Sequence, residues 1–171
     1  YYGCTGPQKY PHLHIDYSGG SDNDPPEDEW VAYDGGSSQL ITHREEKRTF
    51  WFSLKDGTGV DTTSSGGPTL NYRVNNGSWT GVSAATLGTC TAGYWCNFRA
   101  SIPDVTEGDY VQYFLAFQDL KGAPGSGTTG NPNFKTLPVG GTGSPSSVTA
   151  PSTTYSYFVQ PVEEADAFNS D

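Results

Sequence analysis

Methionine is absent from this chain, histidine occurs three times, and only nine lysines and arginines face 19 acids. Each shortage excludes something. A protein that grips phosphates must displace counterions with Lys and Arg. At a net charge of −10, with no basic cluster beyond the short "REEKR" of Arg44–Arg48, nucleic acid and anionic lipid are excluded as partners. No apolar run approaches the roughly 18 residues that cross a bilayer as a helix, so the chain is read as not membrane-spanning. A nucleophilic hydrolase needs a base in reach of its nucleophile. His12, His14 and His43 are the whole imidazole supply, and the G-x-S-x-G elbow is missing. The G-x-x-x-x-G-K-[ST] phosphate loop is also missing. The chain is read as having no catalytic residues.

What is abundant points to strands and turns. There are 22 glycines, 12 prolines, 11 tyrosines, eight phenylalanines and four tryptophans in 171 residues. Aromatic and β-branched residues favour pleated surfaces, and scarce Ala, Leu, Glu and Lys disfavour helices. "FWFSLK" alternates Phe50, Phe52 and Leu54 against Trp51, Ser53 and Lys55. "LNYRVNNGSWTG" places Leu70, Tyr72 and Val74 on one face, then offers a tight turn at Asn76-Gly77. "YWCNFRASI" groups Tyr94, Cys96, Phe98 and Ala100, and "DYVQYFLAFQD" groups Val111, Tyr113, Leu115 and Phe117. "TTYSYFVQP" ends the pattern with Tyr155, Tyr157 and Val159 on one face. Short strands between turn signals predict an all-β sandwich whose two inner faces cover each other.

The expected organisation is an irregular, aromatic and acidic N-terminal arm over 1–38, a sandwich over 39–160 and an acidic tail over 161–171. Residues 121–152 read as a Gly-, Pro-, Ser- and Thr-rich excursion within the sandwich. The first residue is Tyr1, and the expectation is that the chain was processed or cut from a longer protein.

Candidate sites follow from residue types. Cys90 and Cys96 in "CTAGYWC" are expected to form a disulfide, leaving Cys4 as a candidate intermolecular cysteine. His12, His14 and Asp16 alternate in "HLHID", which suits zinc or a similar metal. Asp22, Asp24 and Asp28 in "SDNDPPEDE" are hard oxygen donors suited to calcium as a cofactor. A polar strand face and a solvated acidic loop are the plain alternatives. Trp30, Trp51, Trp79 and Trp95 could serve a protein interface or stack on glycan rings. Asn76-Gly77-Ser78 is a glycosylation sequon on the expected turn.

Several segments together resemble a known family. "DGTGV" at Asp56–Val60, "PTLNYRVN" at Pro68–Asn75, "GSW" at Gly77–Trp79 and "GDYVQYFLAFQD" at Gly108–Asp119 are the first of them. Asn131-Pro132 and "PSTTYSY" at Pro151–Tyr157 are the others. Residues 40–160 thereby resemble the immunoglobulin-like or fibronectin-III-like modules of large bacterial secreted and surface proteins. The resemblance implies an extracellular or cell-surface sandwich that serves as a spacer, adhesion unit or accessory domain, and it carries over no active site. The expectation is a non-enzymatic structural or adhesive subunit that assembles with copies of itself or with neighbouring modules of the same protein. Its arm or the terminal "TYSYFVQ" strand would be the donor, and a filament the product. A carbohydrate-binding module is the alternative.

Overall fold

Burial alternates along the chain as the aromatic spacing demands. In the computed structural model, which describes residues 25–33, 42–43, 48–103, 105–121 and 133–160, every regular element is a strand. The first three are β1 (Glu27–Tyr33), β2 (Thr42–His43) and β3 (Arg48–Lys55), and the next three are β4 (Thr69–Val74), β5 (Thr80–Ser83) and β6 (Ala85–Leu87). Then follow β7 (Cys96–Ile102), β8 (Tyr110–Gln118), β9 (Phe134–Leu137), β10 (Thr142–Ser144), β11 (Ser147–Thr149) and β12 (Tyr155–Gln160).

Two sheets result. One has the order β1-β3-β7-β6; the other runs β2-β12-β8-β4-β5, with β9 also paired to β8. The pairings are antiparallel apart from β2, which lies parallel to β12. Phe50, Phe52, Leu54, Phe98 and Ile102 from the first sheet share one buried cluster with Leu70, Val111, Tyr113, Leu115 and Phe117 from the second. Phe50 meets Tyr113 across the layers, with ring centroids 4.9 Å apart. Tyr72 and Val74 pack against this cluster but are only half-buried, because β4 has just β5 between it and the sheet edge.

The structure departs from the sequence pattern in five places, each for a physical reason. The segment read as an irregular arm supplies β1, whose backbone pairs from Glu27↔Lys55 to Tyr33↔Phe50 with a bulge between Trp30 and Ala32. That bulge breaks the period of two, which is why alternation did not reveal the strand. The tight turn lies at Asn75-Asn76, with φ of 49° and 60°, closed by the Gly77 N–H donating to the Val74 carbonyl at 2.8 Å. Both central residues of such a turn need positive φ, which Asn tolerates. Gly77, Ser78 and Trp79 are thereby left out of the ladder, which resumes at Tyr72↔Thr80.

"SWTGVSAATL" divides between the sheets, β5 ending in one and β6 opening in the other. Tyr94 is 70% exposed, in the turn ahead of β7, and does not join the inward series of Cys96, Phe98 and Ala100. The glycine-rich excursion contains three strands: β9 extends the sheet beside β8, and β10 and β11 form a hairpin.

Candidate functional site

Carboxylates are the first candidates for chemistry, and the fold uses them to hold its loops. Asp56 Oδ1 accepts from the Thr58 N–H (2.7 Å), the Thr58 hydroxyl (2.8 Å) and the Gly59 N–H (3.0 Å). Asp61 Oδ1 accepts from the Thr63 N–H at 2.8 Å, and its Oδ2 accepts from buried Gln118 Nε2 at 3.0 Å. Gly66 packs so closely that an added Cβ would lie 1.7 Å from that Asp61 oxygen. The Asp-rich stretch is therefore a structural knot joining the β3–β4 loop to the end of β8. Asp109 acts similarly: its Oδ2 accepts from the Thr106 N–H and its Oδ1 from Asn75 Nδ2. Asn75 Oδ1 accepts from the Tyr110 N–H, tying the two turns together.

Among the described residues, no group of three or more His, Cys, Asp and Glu could hold a metal ion. Asp28 forms an ion pair with Lys135 on β9. His12, His14, Asp16, Asp22, Asp24 and Cys4 lie outside the described residues. So does Gly125–Gly130, whose spacing is G-x-G-x-x-G; the described elements offer it no helix to open. An open groove where the chain crosses between sheets is lined by Tyr72, Val82, Arg99 and Pro103 among others, and contains no carboxylate or imidazole.

The tryptophans separate onto different surfaces. Trp51 is half-buried on the outer side of β3, in register with exposed Arg99 of β7. Beyond it, the Ser53 hydroxyl donates to Asn97 Oδ1 at 2.7 Å. Trp95, 44% exposed, lies one residue before Cys96, in the segment that leads into β7. Trp79 belongs to the opposite side of the molecule. It meets Phe114 edge-on at 4.9 Å, and the Arg73 guanidinium lies 4.7 Å from its ring centroid. Trp30 holds a place in β1, and its side chain is outside the described residues.

The six-stranded sheet also presents an exposed pair that the sequence reading missed. Tyr110 (38% exposed) and Phe158 (44%) are cross-strand partners. Each precedes an inward valine, so strand alternation alone carries the signal of its outward direction. Asn76 of the sequon is exposed at the turn tip.

Cys90 and Cys96 are both thiols in this structure, packed at the edge of the core cluster. The Cys90 thiol is pushed up to about 12, first by burial, then by its hydrogen bond to Cys96 and by the Cys96 charge. Tyr157 also rises to about 12, mainly through burial; Arg48 pulls the other way, and Tyr72 and Asp109 add to the rise. Arg48 is buried, with its guanidinium 4.5 Å from the Tyr157 ring centroid.

No protein-family model matches the chain, and no curated protein matches its sequence. The two-sheet arrangement places it in the broad class of β-sandwich domains.

Proposed function

We propose that this chain is a non-enzymatic extracellular module of the immunoglobulin-like kind, with a structural or adhesive role. The observation that carries the reading is strand order. The sheet β1-β3-β7-β6 facing β5-β4-β8-β12 corresponds to the ABED and C′CFG layers of immunoglobulin-type sandwiches. The described carboxylates near the loop ends are engaged by backbone and side-chain donors, which suits a binding scaffold better than acid–base chemistry.

The described parts of the two expected donors, residues 27–33 and β12, already pair within the chain. β12 pairs with β8 through Tyr155–Phe158 and with β2 through Val159 and Gln160, and residues 27–33 are paired to their own β3. The open edges are blunted in the ways that discourage edge-to-edge pairing: β5 and β6 are four and three residues long, and β1 is bulged and begins Glu-Asp-Glu. The module is therefore read as a bead. A carbohydrate-binding module is the second reading, favoured by exposed aromatic rings beside hydrogen-bonding side chains on the outer faces.

Sedimentation of the intact chain, with electron microscopy, tests the bead: we expect monomers and no fibres. Adhesion of chain-coated beads to cell-surface and matrix preparations, beside turnover assays on glycosides and esters, tests the role. Adhesion without turnover is expected; turnover of either substrate class would overturn it.

A further inference from the structure

We infer that the outer face of the six-stranded sheet binds a neutral oligosaccharide. Tyr110 and Phe158 form the stacking platform, and Arg73, Gln112 and Thr154, with Arg73 held against Trp79, supply hydrogen bonds beside it. The inference rests on reading the chain as a binding module and gives that reading a place and a ligand class.

The register assembles the strip. Val111 and Val159 are fully buried, so their neighbours Tyr110 and Phe158 point outward, where they face each other across the β8–β12 ladder. Two residues along β8, Gln112 occupies the same face, flanked by Ser156 on one side and Arg73 on the other. Two residues further, Phe114 is fully buried beneath Trp79. Tyr110 and Phe114 are four residues apart, about 13 Å along a strand. That is the reach of a short chain of sugar rings rather than of one ring.

The polar groups are held in place with capacity to spare. Arg73 Nε donates to Gln112 Oε1 at 2.9 Å, and Gln112 Nε2 donates to Thr154 Oγ1 at 3.1 Å. Gln112 keeps one N–H, Thr154 keeps its O–H, and both Arg73 Nη groups remain able to donate. Because the guanidinium is also stacked on Trp79, little side-chain entropy remains to be lost on binding.

This combination selects the ligand. A pyranose offers an apolar C–H face to an aromatic ring and a rim of hydroxyls to amide, guanidinium and hydroxyl groups. A protein partner would seek a continuous desolvated apolar centre, which Gln112 interrupts. An anionic polymer would meet a chain of net charge −10, with Asp109 beside Tyr110.

Calorimetry of the intact chain with neutral α- and β-linked hexaoses, and with oligouronates as the anionic arm, tests the inference. We expect saturable binding of at least one neutral hexaose. That binding should weaken at least tenfold in Phe158→Ala and in Gln112→Ala, with thermal melts showing both variants folded, and be unchanged in Trp51→Ala. Binding of oligouronates alone, loss through Trp51→Ala instead, or no binding of any neutral hexaose would each overturn it. Bead adhesion that persists in Phe158→Ala and Gln112→Ala would overturn the glycan site while leaving the adhesive reading standing.

Discussion

The two outer faces of the sandwich are built from similar residues and end in different states. On the four-stranded sheet, alternation holds: Phe98, Ala100 and Ile102 of β7 are buried while Asn97 and Arg99 are exposed. On the six-stranded sheet, β8 is buried on both sides over much of its length, with Phe114 and Ala116 as inaccessible as Leu115 and Phe117. The difference is what lies on top. Trp79 folds over Phe114, while β9 continues the sheet beside the end of β8. One face of the second sheet is thus a small core of its own, and its far end, at Tyr110 and Phe158, stays open. A strand in the middle of a sheet can belong to two cores, and such a strand reads as a continuous apolar run rather than an alternating one.

The largest test of this contrast replaces an outward aromatic on each sheet. Phe114→Ala should cost about 3–5 kcal/mol in urea unfolding, the range for emptying a packed aromatic site. Trp51→Ala, at a half-buried site, should cost about 1 kcal/mol. Equal losses would erase the distinction between the faces.

The next test concerns the knot at the end of β8. Asp61→Ala removes the buried carboxylate that accepts from Gln118 Nε2 and from the Thr63 N–H, and should cost about 1–3 kcal/mol. Gly66→Ala should approach that loss by forcing the Asp61 carboxylate aside. A full melt of Gly66→Ala at wild-type temperature would show the loop to be less rigid than its hydrogen bonds imply.

The third compares cross-linked and reduced protein. We expect Cys90 and Cys96 to pair under oxidising conditions, closing a short loop at one end of the four-stranded sheet. Reduction should then cost about 2 kcal/mol by the chain-entropy estimate. Non-reducing peptide mapping checks it, and a free thiol at either position after oxidation would refute the pairing. Exchange needs thiolate. With Cys90 held protonated by its surroundings, oxidation of the already folded, reduced protein should be slow at pH 8.

The smallest effects separate the sheets by pH. An acid that the fold keeps protonated ionises first in the unfolded chain. The stability linked to each group is whole below its ordinary value, 9.0 for Cys90 and 10.0 for Tyr157, and drains away as pH climbs towards about 12. The reduced protein should therefore lose stability in alkali from two sources. Cys90→Ala should remove the earlier one, from the four-stranded sheet, and Tyr157→Phe the later, from the six-stranded sheet. Tyr157→Phe should also be neutral or slightly stabilising at pH 7, because its buried hydroxyl has no hydrogen-bond partner among the described residues. A clear destabilisation at pH 7 would reveal a partner for it.

How far the chain could be read alone is clearest at particular residues. The period of two along Phe50–Leu54, Leu70–Val74, Phe98–Ala100 and Val111–Phe117 was enough to assign strands and their inner faces, because each side chain's direction follows from backbone pleating alone. The turn after Val74 was legible to within one residue, since local positive φ and residue type govern it. β1 was not legible, because a bulge interrupts its period and its support comes from β3, separated in sequence. Nor was the open platform. Tyr110 and Phe158 are nearly fifty positions apart, and only the β8–β12 register makes them neighbours. The acids of "DGTGVD" looked alike as ligands, yet Gln118, which accounts for one of them, arrives from the end of another strand. Local rules set the direction of each side chain here. Which residues meet was decided by pairing between distant strands, a choice made by the burial of the whole core at once.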